Sequence, residues 1–203
     1  MADVTVMKTA AESALAHAYS EARGRLPGDG AVAAQREAAF DLFSREGLPH
    51  RRIEEWKYTD LRALMREAKP LAGPPGAAAK TRAKAAGALL GDAETRRLVF
   101  VDGAFVRELS DLDGLERGLG VGSLAAALAE GDPALIALLG KLAPGNDVTV
   151  ALNTAFMGDG AVIRIGPGST IERPLHLLFV ASGNPAATFM RSLVVVEKGA
   201  RAM

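Results

Sequence analysis

From Ala161 onward the chain is written in short runs of β-branched and apolar residues, AVIRI, PLHLLFV and SLVVVE, separated by Gly-Pro-Gly-Ser, Ser-Gly-Asn-Pro and Lys-Gly. This texture restricts the fold more than any other feature. The intervals are too short to hold helices between the strands, so a doubly wound α/β layer is excluded. What remains is an all-β sandwich, a barrel or a coiled solenoid. The pattern is still running at Met203, where it would leave open backbone groups, and the expectation is a fragment of a longer chain.

Upstream, Leu98-Val99-Phe100-Val101, Asp102-Gly103 and Ala104-Phe105-Val106 predict a β-hairpin over 98–107, because Asp-Gly supplies the positive φ angles of a two-residue turn. The first third reads as helical. Met7, Ala11, Ala14, Leu15 and Ala18 follow helical spacing over 7–23, and Val32, Ala39, Phe40 and Phe43 do so over 31–46, with Gly47 placed to end that helix in the left-handed conformation. Thr59 or Asp60 can cap a third helix carrying Leu61, Leu64, Met65 and Ala68. Residues 70–95 are rich in Pro, Gly and Ala with little apolar bulk and read as a surface linker. Ser123 and Asp132-Pro133 are the starts of two short helices after the hairpin. The expected division is therefore a helical domain at 1–69, a linker at 70–95, the hairpin and short helices at 96–160, and the start of a β core at 161–203.

Charge excludes some functions. The 24 Lys+Arg balance 24 Asp+Glu, so no global field draws the chain to nucleic acid or an anionic membrane. The chain has no cysteine, which removes disulfides, a thiol nucleophile and thiolate ligands for zinc or an iron–sulfur cluster. No run approaches ~18 uninterrupted apolar residues and the N-terminus lacks a secretory apolar core, so a cytoplasmic protein is expected.

Few residues carry chemistry. His17, His50 and His176 are scattered without ligand spacing; His176, in a strand among apolar neighbours, reads as a hydrogen-bonded structural histidine. Gly-Asp-Gly at 158–160 and Gly-Pro-Gly at 166–168 lack the phosphate-loop pattern and read as turns. Trp56, the single tryptophan, lies with Arg52 and Tyr58 in the charged run RRIEEWKYTD. These three are the candidate site residues, either as a partner contact or as a structural anchor in which the rings pin the helical domain together. No catalytic, cofactor-binding or metal-ligating residue is expected.

Two stretches carry a family resemblance: GLPHRRIEEWKYTDLRAL at 47–64 and LNTAFMGDGAVIRIGPGSTIERPLHLLFV at 152–180, with LVFVDGAFVRELSDL between them and RSLVVVEKGARA at the end. In that order they resemble the N-terminal portion of the SufB/SufD family of iron–sulfur cluster assembly proteins. The hairpin and the Asn-Thr-Ala-Phe segment point to the SufD side of the family.

The resemblance implies an α+β, mainly β fold: an N-terminal helical domain followed by the first coils of a right-handed parallel β-helix, truncated here. It also implies a non-catalytic scaffold acting through protein–protein contacts in a SufBCD complex, with SufB and SufC homologues as partners. ATP and the iron–sulfur cluster are handled by the wider complex, and no cofactor is bound by this chain. The ATPase is contacted mainly by a later helical domain, so this stretch by itself is expected not to capture SufC and to self-associate through its open strands. The competing reading is a left-handed β-helix (hexapeptide-repeat) acyltransferase, for which Ile165–Ile171 supplies one unit without the required successive repeats. A cupin-like sugar or metal module would need clustered histidines and carboxylates, which the sequence does not offer.

Overall fold

The computed structural model describes residues 8–86, 94–143 and 145–202. Helix α1 (Ala10–Ala22) opens with a capping box: Thr9 Oγ1 accepts from the Glu12 amide at 3.2 Å and Glu12 Oε2 accepts from the Thr9 amide at 2.7 Å. Helix α2 (Gly30–Glu46) stops at Gly47, whose φ of +70° comes with ψ −170°. The expected positive φ is present, but the chain leaves in an extended direction instead of the left-handed helical well.

Helix α3 (Leu61–Leu64) is capped by Asp60, which accepts from the Ala63 amide at 3.0 Å. It lasts one turn, although the apolar spacing predicts a helix reaching Ala68; Met65 and Ala68 instead pack as irregular chain against the helical core. The 70–95 stretch also differs from its reading as a surface linker. Ala77–Ala86 form a helix, α4, with Ala79 and Ala83 buried against Val99, Val101 and Val106. Alanine combines the best helix propensity with a side chain small enough to lie flat on a sheet. Residues 87–93 of the same stretch lie outside the described residues.

The hairpin forms as expected. Strands β1 (Arg96–Val101) and β2 (Ala104–Phe105) pair antiparallel, with Asp102 at φ +47° and Gly103 at φ +85° turning between them. Next come β3 (Leu119–Ser123), α5 (Leu124–Glu130), α6 (Pro133–Ile136) and α7 (Val148–Phe156). Ser123 and Asp132 cap α5 and α6 as read from sequence, through the Ala126 amide and the Ala134 and Leu135 amides. Strands β4 (Ala161–Ile165), β5 (Thr170–Ile171), β6 (Leu175–Val180), β7 (Leu193–Val196) and β8 (Arg201–Ala202) complete the chain.

The strands make three small sheets among the described residues, ordered β2-β1-β6, β3-β4-β7 and β5-β8. Parallel pairing joins β1 to β6, β4 to β7 and β5 to β8. Val162 pairs with Leu193 and Thr170 with Arg201, the same interval of 31 positions that separates Ala161 from the Ser192 hydroxyl to which its amide donates. Two consecutive strands thus meet two later ones at one constant spacing.

The helical core joins Ala11, Leu15, Tyr19, Phe43 and Leu48 to Leu152, Ala155 and Phe156 of α7. Tyr19 stacks on Phe40 with ring centroids 4.0 Å apart and meets Phe156 edge-on. Fully buried Arg36 of α2 donates to Pro27 O at 2.7 Å and to Ala155 O at 3.3 Å, placing its charge at the C-terminal turn of α7. Burial lowers this guanidinium to about 10. In the β region Leu98, Phe100, Leu119, Ala161, Ile163, Ile165 and Ile171 form one apolar cluster between the strands.

Candidate functional site

The run from Pro49 to Leu61 is a loop held shut at its base. Pro49 O accepts from the Leu61 amide at 3.0 Å and the Arg62 amide at 3.3 Å. Beneath it, Glu12, only 3% exposed, accepts from the Leu48 amide at 2.7 Å and from Arg62 Nε at 3.1 Å. One carboxylate therefore ties α1 to both ends of the loop. Burial raises the Glu12 carboxyl, but the Thr9 amide, the Arg62 guanidinium and the Leu48 amide outweigh it and hold the group below the usual carboxylate range.

A group held low in the fold lends stability above its unfolded value and withdraws it as pH falls through the folded value. The base of the loop is accordingly expected to loosen below about pH 4.5. Glu12→Gln should shrink this acid-limb loss and cost about 2 kcal/mol at pH 7, since Arg62, partly exposed, would lose its charged hydrogen-bond partner. Urea unfolding followed between pH 3 and 7 checks both; equal acid sensitivity of the two proteins would refute the assignment.

Above that base the tip of the loop is open. Successive turns link Ile53 N to His50 O, Trp56 N to Ile53 O and Thr59 N to Trp56 O, each at 2.9 Å. Arg52 is exposed, Trp56 half-buried in a short 3₁₀ turn (Glu54–Trp56), and Tyr58 92% exposed with Lys57 Nζ 5.3 Å from its ring centroid. Of the two roles weighed for the rings, Tyr58 does not pin anything: it reaches no core cluster among the described residues. The three sequence-selected residues share one loop, and an open cleft beside it is lined by His50, Arg51, Arg52, Asp60, Arg62 and Ala63.

The histidines stay apart. His17 sits 3.4 Å from Glu21 on an exposed helix face, and among the described residues no three His, Asp or Glu gather as a metal site. His176, expected to be hydrogen-bonded, has its Nδ1 buried without a partner among the described residues.

The Gly-Asp-Gly turn does something its sequence did not announce. Asp159 Oδ1 accepts from Ser123 Oγ at 2.7 Å, the Gly160 amide at 2.8 Å and the Ala125 amide at 3.0 Å, while Oδ2 accepts from the Phe105 amide at 2.8 Å. It joins the hairpin, the start of α5 and β4 in one junction. It is structural, with every donor coming from the chain itself.

Compared with known proteins, residues 10–177 match the family model described as SufBD protein N-terminal region. An iron–sulfur cluster assembly SufBD family protein of Synechocystis sp. is 35% identical over 175 residues, covering 85% of this chain and 38% of that protein. The chain thus spans well under half the length of this curated relative.

Proposed function

The chain belongs to the SufB/SufD family, and from its match to that family's N-terminal region we propose a non-catalytic scaffold role in iron–sulfur cluster assembly. The observation that carries the reading is the match itself, which runs through helices, hairpin and first strands in one continuous span. The absence of cysteine from the chain fits a part that acts through protein contacts and leaves sulfur ligation to others. SufB and SufC homologues are the proposed partners in a SufBCD complex, with ATP turned over by the partner ATPase. The SufD-like assignment rests on the hairpin and the Asn153–Phe156 segment.

Along with this role we propose that the strands from Ala161 onward are the opening coils of a right-handed parallel β-helix. Its support is the interval of 31 positions shared by the parallel pairs β4–β7 and β5–β8, since stacked coils of equal length repeat at one spacing. That interval is not a multiple of six, so it lends nothing to the hexapeptide-repeat acyltransferase alternative. No helix among the described residues is long and apolar enough to cross a membrane; the cytoplasm is the proposed location.

Affinity capture of the protein from its own cell extract tests the scaffold role. The expected result is co-purification of an ATPase together with a paralogous family member. Recovery of the bait with neither of them would overturn it.

A further inference from the structure

Resting on the protein-contact reading above, we propose that the His50–Tyr58 loop and its cleft dock an acidic segment of a partner protein that also carries an apolar anchor residue. Two independent properties of the surface lead there. The first is charge. Arg51 and Arg52 are exposed and, among the described residues, form no ion pair.

The acids nearby are already engaged or face elsewhere. Glu54 is bound to Lys57 at 2.6 Å, Asp60 Oδ1 is committed to the Ala63 amide, and Glu55 is not part of the cleft lining. Arg62, tied to Glu12, adds a third guanidinium to the cleft wall. Fixed guanidinium forks match carboxylates better than any other side chain does.

The second property is apolar exposure. Ile53 at 37%, Tyr58 at 92% and Leu64 at 71% are all exposed large hydrophobic side chains, and all belong to this loop and the helix that follows it. An exposed tyrosine flanked by arginines offers rigid, amphipathic contact area at low entropic cost, the composition that concentrates binding energy at interfaces. The base of the loop is already ordered by Glu12 and Pro49, so little further ordering is needed on docking.

Trp56, the single tryptophan, lies inside this loop, so its fluorescence reports on it alone. The probes are an acetylated peptide DEDLFDEE, the same peptide with lysine at each acidic position, inorganic phosphate, and a short single-stranded oligonucleotide. We expect the acidic peptide to shift Trp56 emission saturably with Kd of roughly 10–100 µM, weakening severalfold between low and physiological salt.

Arg51→Glu with Arg52→Glu should weaken this binding at least tenfold, and Tyr58→Ala should weaken it severalfold, while the far-ultraviolet circular dichroism stays unchanged because none of the three is in the core. No saturable shift, an equal response to the lysine peptide, or a stronger response to phosphate or oligonucleotide would each overturn the proposal. Partner capture by the protein separates the two readings: capture that survives the double arginine reversal, with no peptide binding, sinks this docking site alone. Failure to capture any partner sinks the scaffold role instead.

Discussion

Asp159→Ala is expected to lower the unfolding free energy by about 3–5 kcal/mol, because it strands several donors at once. The carboxylate accepts from Ser123 Oγ and from the amides of Phe105, Ala125 and Gly160, and these donors belong to the hairpin, the first turn of α5 and the entry to β4. Alanine leaves three backbone N–H groups without their acceptor at a junction where chain replaces water. Asp159→Asn separates the contributions. With its carbonyl at the Oδ1 position it retains Ser123, Ala125 and Gly160 and loses the Phe105 amide alone, so a cost of about 1–2 kcal/mol is expected, with faster amide exchange confined to β1 and β2.

The neighbouring glycine fits the same junction. A Cβ at Gly160 would stand 1.8 Å from Arg191 O, a backbone atom that no rotamer change can move. Equilibrium urea unfolding of the two Asp159 variants is the measurement; an alanine variant within about 1 kcal/mol of the parent would show that the junction is dispensable.

The second large effect concerns association. Among the described residues β6, β7 and β8 each pair on one side only, and β7 shows Val194 and Val196 at 54% and 55% exposure, with Phe179 of β6 at 51%. An uncharged Leu-Val-Val-Val edge is a template for another strand. The chain is expected to self-associate at micromolar concentration, and Val194→Lys with Val196→Lys should convert most of it to monomer, since lysine on an edge penalises strand addition. Both side chains are already half in solvent, so the fold should survive the change. Sedimentation velocity of parent and variant decides: a parent that stays monomeric at every concentration would refute the edge argument.

Residues 98–107 show what a sequence reveals without help. Asp102-Gly103 states the turn, the flanking apolar runs state the strands, and the hairpin forms with Phe100 opposite Phe105. Ser123 and Asp132-Pro133 were equally legible as helix caps, and Asp60 was one of two candidates with Thr59, because an N-cap is settled by amides two or three residues away. The loop carrying Arg52, Trp56 and Tyr58 was legible as an interesting composition, while its cleft was not.

Helix α7 was missed for a physical reason. It opens with β-branched Val148-Thr149-Val150 and buries Ala151, Leu152, Thr154, Ala155 and Phe156, so no polar face marks a helical period. The usable signal was Asp147, whose carboxylate accepts from the Thr149 and Val150 amides. Strand β3, Leu-Gly-Val-Gly-Ser, was hidden by its glycines and exists through pairing with β4. Helix α4 was hidden because alanine looks alike in a linker and on a sheet.

By itself, then, the sequence determined the helical beginning, the hairpin and the caps, all decided by contacts within a few residues, and the strand-rich character of the end through its β-branched runs, though not the pairing of those strands. Only the tertiary structure decided that Glu12 would meet Arg62 fifty positions away, that Asp159 would gather donors from three elements, and that β6 would lie parallel to β1. The reason is that a buried polar group or an open strand edge is satisfied by whichever partner the completed fold delivers, and chain order alone does not specify that partner.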